Sequence, residues 1–115
     1  MTFNAINKIP VLKFSDQKGN LRYLLLDTGA SLSIIHQTCI PLPNIPHINT
    51  DEIVIITGIS DKSIKTIGSY NISLYGLPCK FHIVQNDFAV KSVHGILGSD
   101  FLDENKVIIN YEKKL

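Results

Sequence analysis

The chain has 115 residues, 44% of them hydrophobic and 18% charged, with a formal net charge of +1. That balance excludes intrinsic disorder and fits one folded domain spanning residues 1–115. It also gives no electrostatic footprint for nucleic acid, and no run approaches the ~20 apolar residues of a membrane span. The N-terminus lacks the basic and apolar regions of a secretory signal, so a soluble protein that is not secreted is expected, with a peptide as the partner.

Residues 9–14 and 21–26 are short β-rich runs on either side of Ser15-Asp16-Gln17-Lys18-Gly19-Asn20, a turn composition, and predict a first hairpin. The second run continues as Leu24-Leu25-Leu26-Asp27-Thr28-Gly29-Ala30-Ser31. A buried apolar strand that ends on a carboxylate is costly unless the acid is hydrogen-bonded, paired or used. Asp27 is therefore the first candidate for chemistry. Thr28 supplies a hydroxyl for a local network, and Gly29 permits a tight turn and close approach of another chain.

Residues 32–36 form another apolar run, after which Pro41, Pro43 and Pro46 argue against any ladder or helix across 39–50. Ile40, Leu42 and Ile45 are expected to tuck inward from that loop. The β-branched runs 52–57 and 63–67 flank Gly58-Ile59-Ser60-Asp61-Lys62 and predict a second hairpin. A third is expected from 70–74 and 80–84 around Tyr75-Gly76-Leu77-Pro78-Cys79, followed by a mixed loop over 85–93. Gly95-Ile96-Leu97-Gly98 reads as a buried strand. Residues 99–104 read as a short helix capped by Ser99, with Phe101 and Leu102 inward. Residues 106–111 are the last strand, and 112–115 a frayed tail. About eight strands and one helix make an all-β, barrel-like domain.

Other chemistries fare poorly. Cys39 and Cys79 have no metal-ligand spacing and read as reduced, packed thiols. His36, His47, His82 and His94 show no zinc pattern and read as surface or loop residues. Ser31, Ser33 and His36 lack a strand-to-helix nucleophile elbow. Neither metal nor cofactor is expected.

The Asp27-Thr28-Gly29 segment with its leucine run, the distant Ile96-Leu97-Gly98 and the helix behind it together resemble the aspartic proteases, specifically the retropepsins of retroviruses and retrotransposons. The resemblance runs from about Ile9 to Tyr111. It implies a closed barrel with a flap hairpin and one short C-terminal helix, acting as a homodimer. Asp16 and Asp103 lack the flanking apolar strand and Thr-Gly of a catalytic acid, so the second carboxylate would be Asp27 of another copy, facing the first across a two-fold axis. Phe3, Ile6, Ile108 and Ile109 near the termini would interleave in a sheet shared by the two chains.

The resemblance also assigns roles. Thr28 would cross-bond to its mate beneath the acids, and Gly29 would offer its carbonyl to the substrate. Leu25, Ile34, Ile56 and Ile96 would line side-chain pockets beside Ala30 and Ser31. Gly58 and Ile59 would form the flap tip. Ala30 cannot donate a hydroxyl bond to the catalytic carboxylate as Ser or Thr there can, which favours an activity optimum at roughly pH 5–6. Many viral retropepsins carry Asp at the position of Ser31 and Arg at that of Ser99, paired in the fold. Losing one partner would strand a charge at ~3–5 kcal/mol, whereas losing both can be near neutral, so a Ser31 hydroxyl bond is the expected replacement. The Asp-Thr-Gly-Ala-Ser form fits gypsy-type and related endogenous elements. It implies cleavage of a Gag-Pol polyprotein, in the cytoplasm or within virus-like particles. A host shuttle-factor protease of the same fold, and an inactive module used for dimerisation or peptide binding, are the competing readings.

Overall fold

Residue alternation on the strand Leu21–Leu26 decides which way the first hairpin faces: Leu24 and Leu26 are buried, while Leu25 between them is half-buried on the other face. The computed structural model describes residues 2–6, 10–16, 19–40, 47–57, 63–85 and 93–112. Ten strands occur in it: β1 (Thr2–Ile6), β2 (Val11–Ser15), β3 (Leu21–Leu26), β4 (Ile34–His36), β5 (Ile55–Ile56), β6 (Ile64–Lys65), β7 (Gly68–Leu74), β8 (Leu77–Val84), β9 (Gly95–Leu97) and β10 (Ile108–Glu112). One helix, α1 (Ser99–Glu104), follows β9.

Six strands make the main sheet in the order β2-β3-β9-β4-β8-β7. Its registers form two rows across the sheet. Leu12, Leu24, Gly95, Ile35, Ile83 and Gly68 lie side by side in one row. That row contributes Leu12, Leu24, Ile35 and Ile83 to the main core, with Phe81, Leu97 and Phe101. The neighbouring row runs Val11, Leu25, Ile96, Ile34, His82 and Ser69. It lies on the opposite face, because side chains alternate along every strand. There Ile34 and Val84 pack with Ile56 and Ile64 in a second, smaller cluster. Gly95 is required where the strands meet: a Cβ there would lie 2.6 Å from the Ile34 carbonyl oxygen and 2.7 Å from Leu24 Cδ2.

The sheet curls until its edge strands approach each other. Among the described residues β2 and β7 share no ladder; Tyr75 Oη, just past β7, donates to the Lys13 carbonyl at 2.7 Å. Cys39 and Cys79 are buried free thiols, and burial pushes them up to about 11 and about 12 respectively.

Several elements depart from the sequence reading. The third hairpin turns on Tyr75 and Gly76 alone, with φ of 50° and 80°, the left-handed pair a two-residue turn requires. Pro78 and Cys79 therefore belong to β8, not to the turn. The proline-rich stretch is bounded by a 3-10 turn at Gln37–Cys39 and rejoins the sheet by a bridge between Asn49 and Ser69. Ile40 is buried as expected, while Leu42 and Ile45 lie outside the described residues. The second hairpin has a short ladder, prolonged by side-chain bonding: Val54 N–H donates to Thr66 Oγ1 at 2.9 Å and Thr66 N–H to the Val54 carbonyl at 2.9 Å. Its tip, with Gly58 and Ile59, lies outside the described residues.

The terminal strands, expected to interleave with those of another chain, pair here with each other: β1 and β10 run parallel from Thr2 opposite Ile108 to Ile6 opposite Glu112. Among the described residues their outer edges carry no further strand. Two of the histidines also differ from expectation. His36 lies in β4, and His82 is buried in β8. His94 receives the Tyr23 N–H on Nδ1 at 3.1 Å and stacks on the Tyr23 ring, so burial lowers its proton affinity. His47 is exposed and His94 lies in the loop ahead of β9, as the sequence suggests, whereas His36 and His82 do not fit that expectation.

Candidate active site

Asp27 emerges where β3 and β9 end together. Its N–H donates to the Leu97 carbonyl at 2.9 Å, which fixes the backbone, and the chain then turns at once. Ala30 N–H donates to the Asp27 carbonyl at 3.2 Å, and Gly29 N–H donates to Asp27 Oδ1 at 2.9 Å. The carboxylate is thus oriented by a backbone donor within its own turn.

The turn rests on the β9–α1 junction. A Cβ on Gly98 would lie 2.6 Å from the Leu32 carbonyl oxygen and 2.7 Å from that of Ala30, so only glycine lets the two segments come this close. Ser99 N–H donates to the Ala30 carbonyl at 2.7 Å. Ser99 is consequently not the cap; Gly98 is the N-cap residue and Ser99 the first helical one.

A clasp holds this contact. Ser33 Oγ donates to Asp100 Oδ1 at 2.6 Å, Ser33 N–H donates to Oδ2 at 3.0 Å, and Ser33 Oγ accepts from Gly98 N–H at 3.0 Å. This tie does the work expected of a Ser31 hydroxyl, two residues further along; Ser31 itself is exposed on the cleft wall. The serine faces inward because its neighbour Ile34 opens β4, whereas Ser31 sits in the preceding bend. Replacing Ser33 by Ala should lower stability by about 2–4 kcal/mol, since it removes a charge-assisted bond and strands a buried N–H. Urea unfolding measures this, and a loss below about 0.5 kcal/mol would mean that the clasp is not a stabilising contact.

Above the turn lies a cleft of about 410 Å³. Of the residues proposed from sequence, Asp27, Gly29, Ala30, Ser31, Ile34, Ile56 and Ile96 all line it. Leu25 and Thr28 do not. Leu25 shares the row of Ile34 and Ile96 but sits beyond Ile96, next to Val11, and Thr28 is exposed on the turn. Leu32, Ile55 and Thr57 line the cleft without having been singled out. Alternation from Ile34 and Ile56 does not reach them, since Leu32 and Thr57 lie outside the ladders and Ile55 is 70% exposed.

Asp27 is the single acid lining the cleft among the described residues. Asp16 instead accepts from Arg22 Nε at 3.0 Å and from Asn20 N–H at 2.9 Å in the first hairpin, and Asp103 is exposed on α1. One carboxylate above a glycine turn, in an otherwise apolar and hydroxyl-lined cleft, can polarise a bound water or accept its proton.

A search of curated proteins found no match. Among solved structures the chain is similar to EIAV protease complexed with the inhibitor HBY-793, at 19% identity and a TM-score of 0.54, over 88% of this chain and 91% of that one. At that identity the likeness speaks for the fold: strands curled into an open barrel with one short helix. The family model described as retroviral aspartyl protease matches residues 9–110, a span that includes the Asp27 turn, the Gly98 junction and every strand of the main sheet. The chain therefore belongs to the retroviral aspartyl protease family.

Proposed function

We propose that the protein is an aspartic endopeptidase that works as a homodimer. The observation that carries this reading is Asp27, the single acid among the described residues that line the cleft, at the floor of a peptide-sized space. Peptide hydrolysis by this chemistry needs one carboxylate to take a proton from water and another to give one to the substrate. Two carboxyls held close share a single proton because both cannot ionise side by side. An isologous dimer supplies the second acid by symmetry. The exposed Thr28 and Gly29 at the turn, together with the outer edges of β1 and β10, which carry no further strand among the described residues, are surfaces such a partner would cover.

In this reading the substrate is an extended polypeptide, with Ile34, Ile56 and Ile96 as pocket walls and the β5–β6 hairpin as a closing flap. A Gag-Pol polyprotein of a gypsy-type element is the proposed natural substrate, processed in the cytoplasm or inside virus-like particles. Neither nucleic acid nor membrane takes part. The test is incubation of purified protein with a library of polyprotein junctions, with and without a pepstatin-like inhibitor. Inhibitor-sensitive cleavage is the expected result; peptides bound but uncut would favour a non-catalytic binding module. Sedimentation should show activity following the dimer, and an active monomer at assay concentration would overturn the two-chain mechanism.

A further inference from the structure

His82 occupies an unusual position for a titratable group. It lies in the cleft-side row, directly between Ile34 of the cleft wall and Ser69, and is 6% exposed. Its backbone N–H donates to the carbonyl of Ser33 at 2.9 Å, the residue that Asp100 clasps. Its ring Nδ1 has no hydrogen-bond partner among the described residues. An imidazolium carries a proton on both ring nitrogens, so whichever neutral tautomer is present, charging the ring places an N–H at Nδ1 with no acceptor facing it.

Among the described residues, the charged groups that act on the ring are Asp100 from α1, Glu52 from the segment entering the β5–β6 hairpin, and Lys80 from β8 itself. Glu52 is held by Lys80 Nζ at 2.8 Å and by Asn49 Nδ2 at 3.1 Å. Asp100 is held by Ser33. The ring's proton affinity is lowered by burial first, with Asp100 and Glu52 opposing and Lys80 assisting.

We infer that His82 is a positioning residue that sets the acid limit of the active site: neutral, it packs behind Ser33, and on charging it buries a cationic ring whose Nδ1–H has no acceptor, which strains the His82–Ser33 backbone bond and loosens the loop that carries Asp27. The sign follows from linkage. A histidine that resists protonation in the folded state gives stability that is full above the ordinary value of 6.5 and lost as pH falls through the folded value. The dyad chemistry calls for mild acid, so His82 opposes it from below.

The inference rests on the peptidase reading, and the experiment separates the two. The ring titration of His82 and the amide resonance of Ser33 are followed by NMR in the parent. Thermal midpoint, kcat and KM are measured from pH 4 to 7.5 in the parent and in His82→Gln, each normalised to its own pH 7 value. The expected result is that the Ser33 amide moves in step with the His82 ring. Between pH 5.5 and 4, parental kcat should fall roughly tenfold with little change in KM, against less than about twofold for the variant. An identical acid limb in His82→Gln, or a Ser33 amide indifferent to the ring, overturns the inference. Should the variant fail to fold, the ring–amide coupling in the parent decides alone. A parent inactive at every pH removes the peptidase reading, and the same coupling still decides for or against His82.

Discussion

Asp27→Asn should reduce peptide turnover by roughly 10³-fold or more while leaving the fold and the dimer in place. The substitution keeps the volume of the side chain and an oxygen able to accept from Gly29 N–H, the 2.9 Å bond that orients the turn. In the proposed two-chain mechanism, what it removes is the ability of the Asp27 pair to pass a proton between water and the leaving amide. Circular dichroism and sedimentation should therefore match the parent while activity is lost. Turnover surviving in a preparation free of contaminating protease would show that the acid is misassigned.

Gly98→Ala should be the most destabilising single change near the site, by about 3 kcal/mol or more, at the upper end of overpacking costs. The added methyl would meet the carbonyl oxygens of Leu32 and Ala30 at 2.6 and 2.7 Å, and both are backbone atoms that cannot swing aside as a side-chain end can. Relief requires moving α1 away from the Asp27 turn, which also breaks the 2.7 Å bond from Ser99 N–H to Ala30. Urea unfolding reports the stability, and activity should fall by more than the unfolded fraction explains. A variant as stable as the parent would mean that the turn and the helix are not in the close contact described.

The elements most legible in the sequence are those whose evidence is local. The strand Leu21–Leu26 and the helix Ser99–Glu104 begin and end where the residue pattern places them, because an apolar run closed by a turn and an inward-facing Phe101-Leu102 pair are short-range signals. The turn at Tyr75-Gly76 was obscured by Pro78. A proline inside a strand is disfavoured, but Pro78 lies ahead of the stretch of β8 that β4 pairs with, which begins at His82. The Ser33–Asp100 clasp could not be read at all, since its partners are distant in sequence and neither belongs to a motif. His82 misled for a related reason. It shares a face with exposed Lys80, and only the arrival of Val54 and Ile56 from the second hairpin makes that face an interior one.

The two rows across the main sheet bear on how such a protein can evolve. Ile34 faces the cleft and Ile35 the core, Ile96 the cleft and Leu97 the core, so neighbouring positions on the same strand answer to different selective demands. If the cleft binds peptide as proposed, its sequence preference can drift along one row while foldability is maintained by the other. The freedom ends at Gly95 and Gly98, where backbone carbonyls stand 2.6 Å from where a Cβ would lie and cannot swing aside to absorb a change. Those two positions are where adaptation of specificity and persistence of the fold become a single constraint.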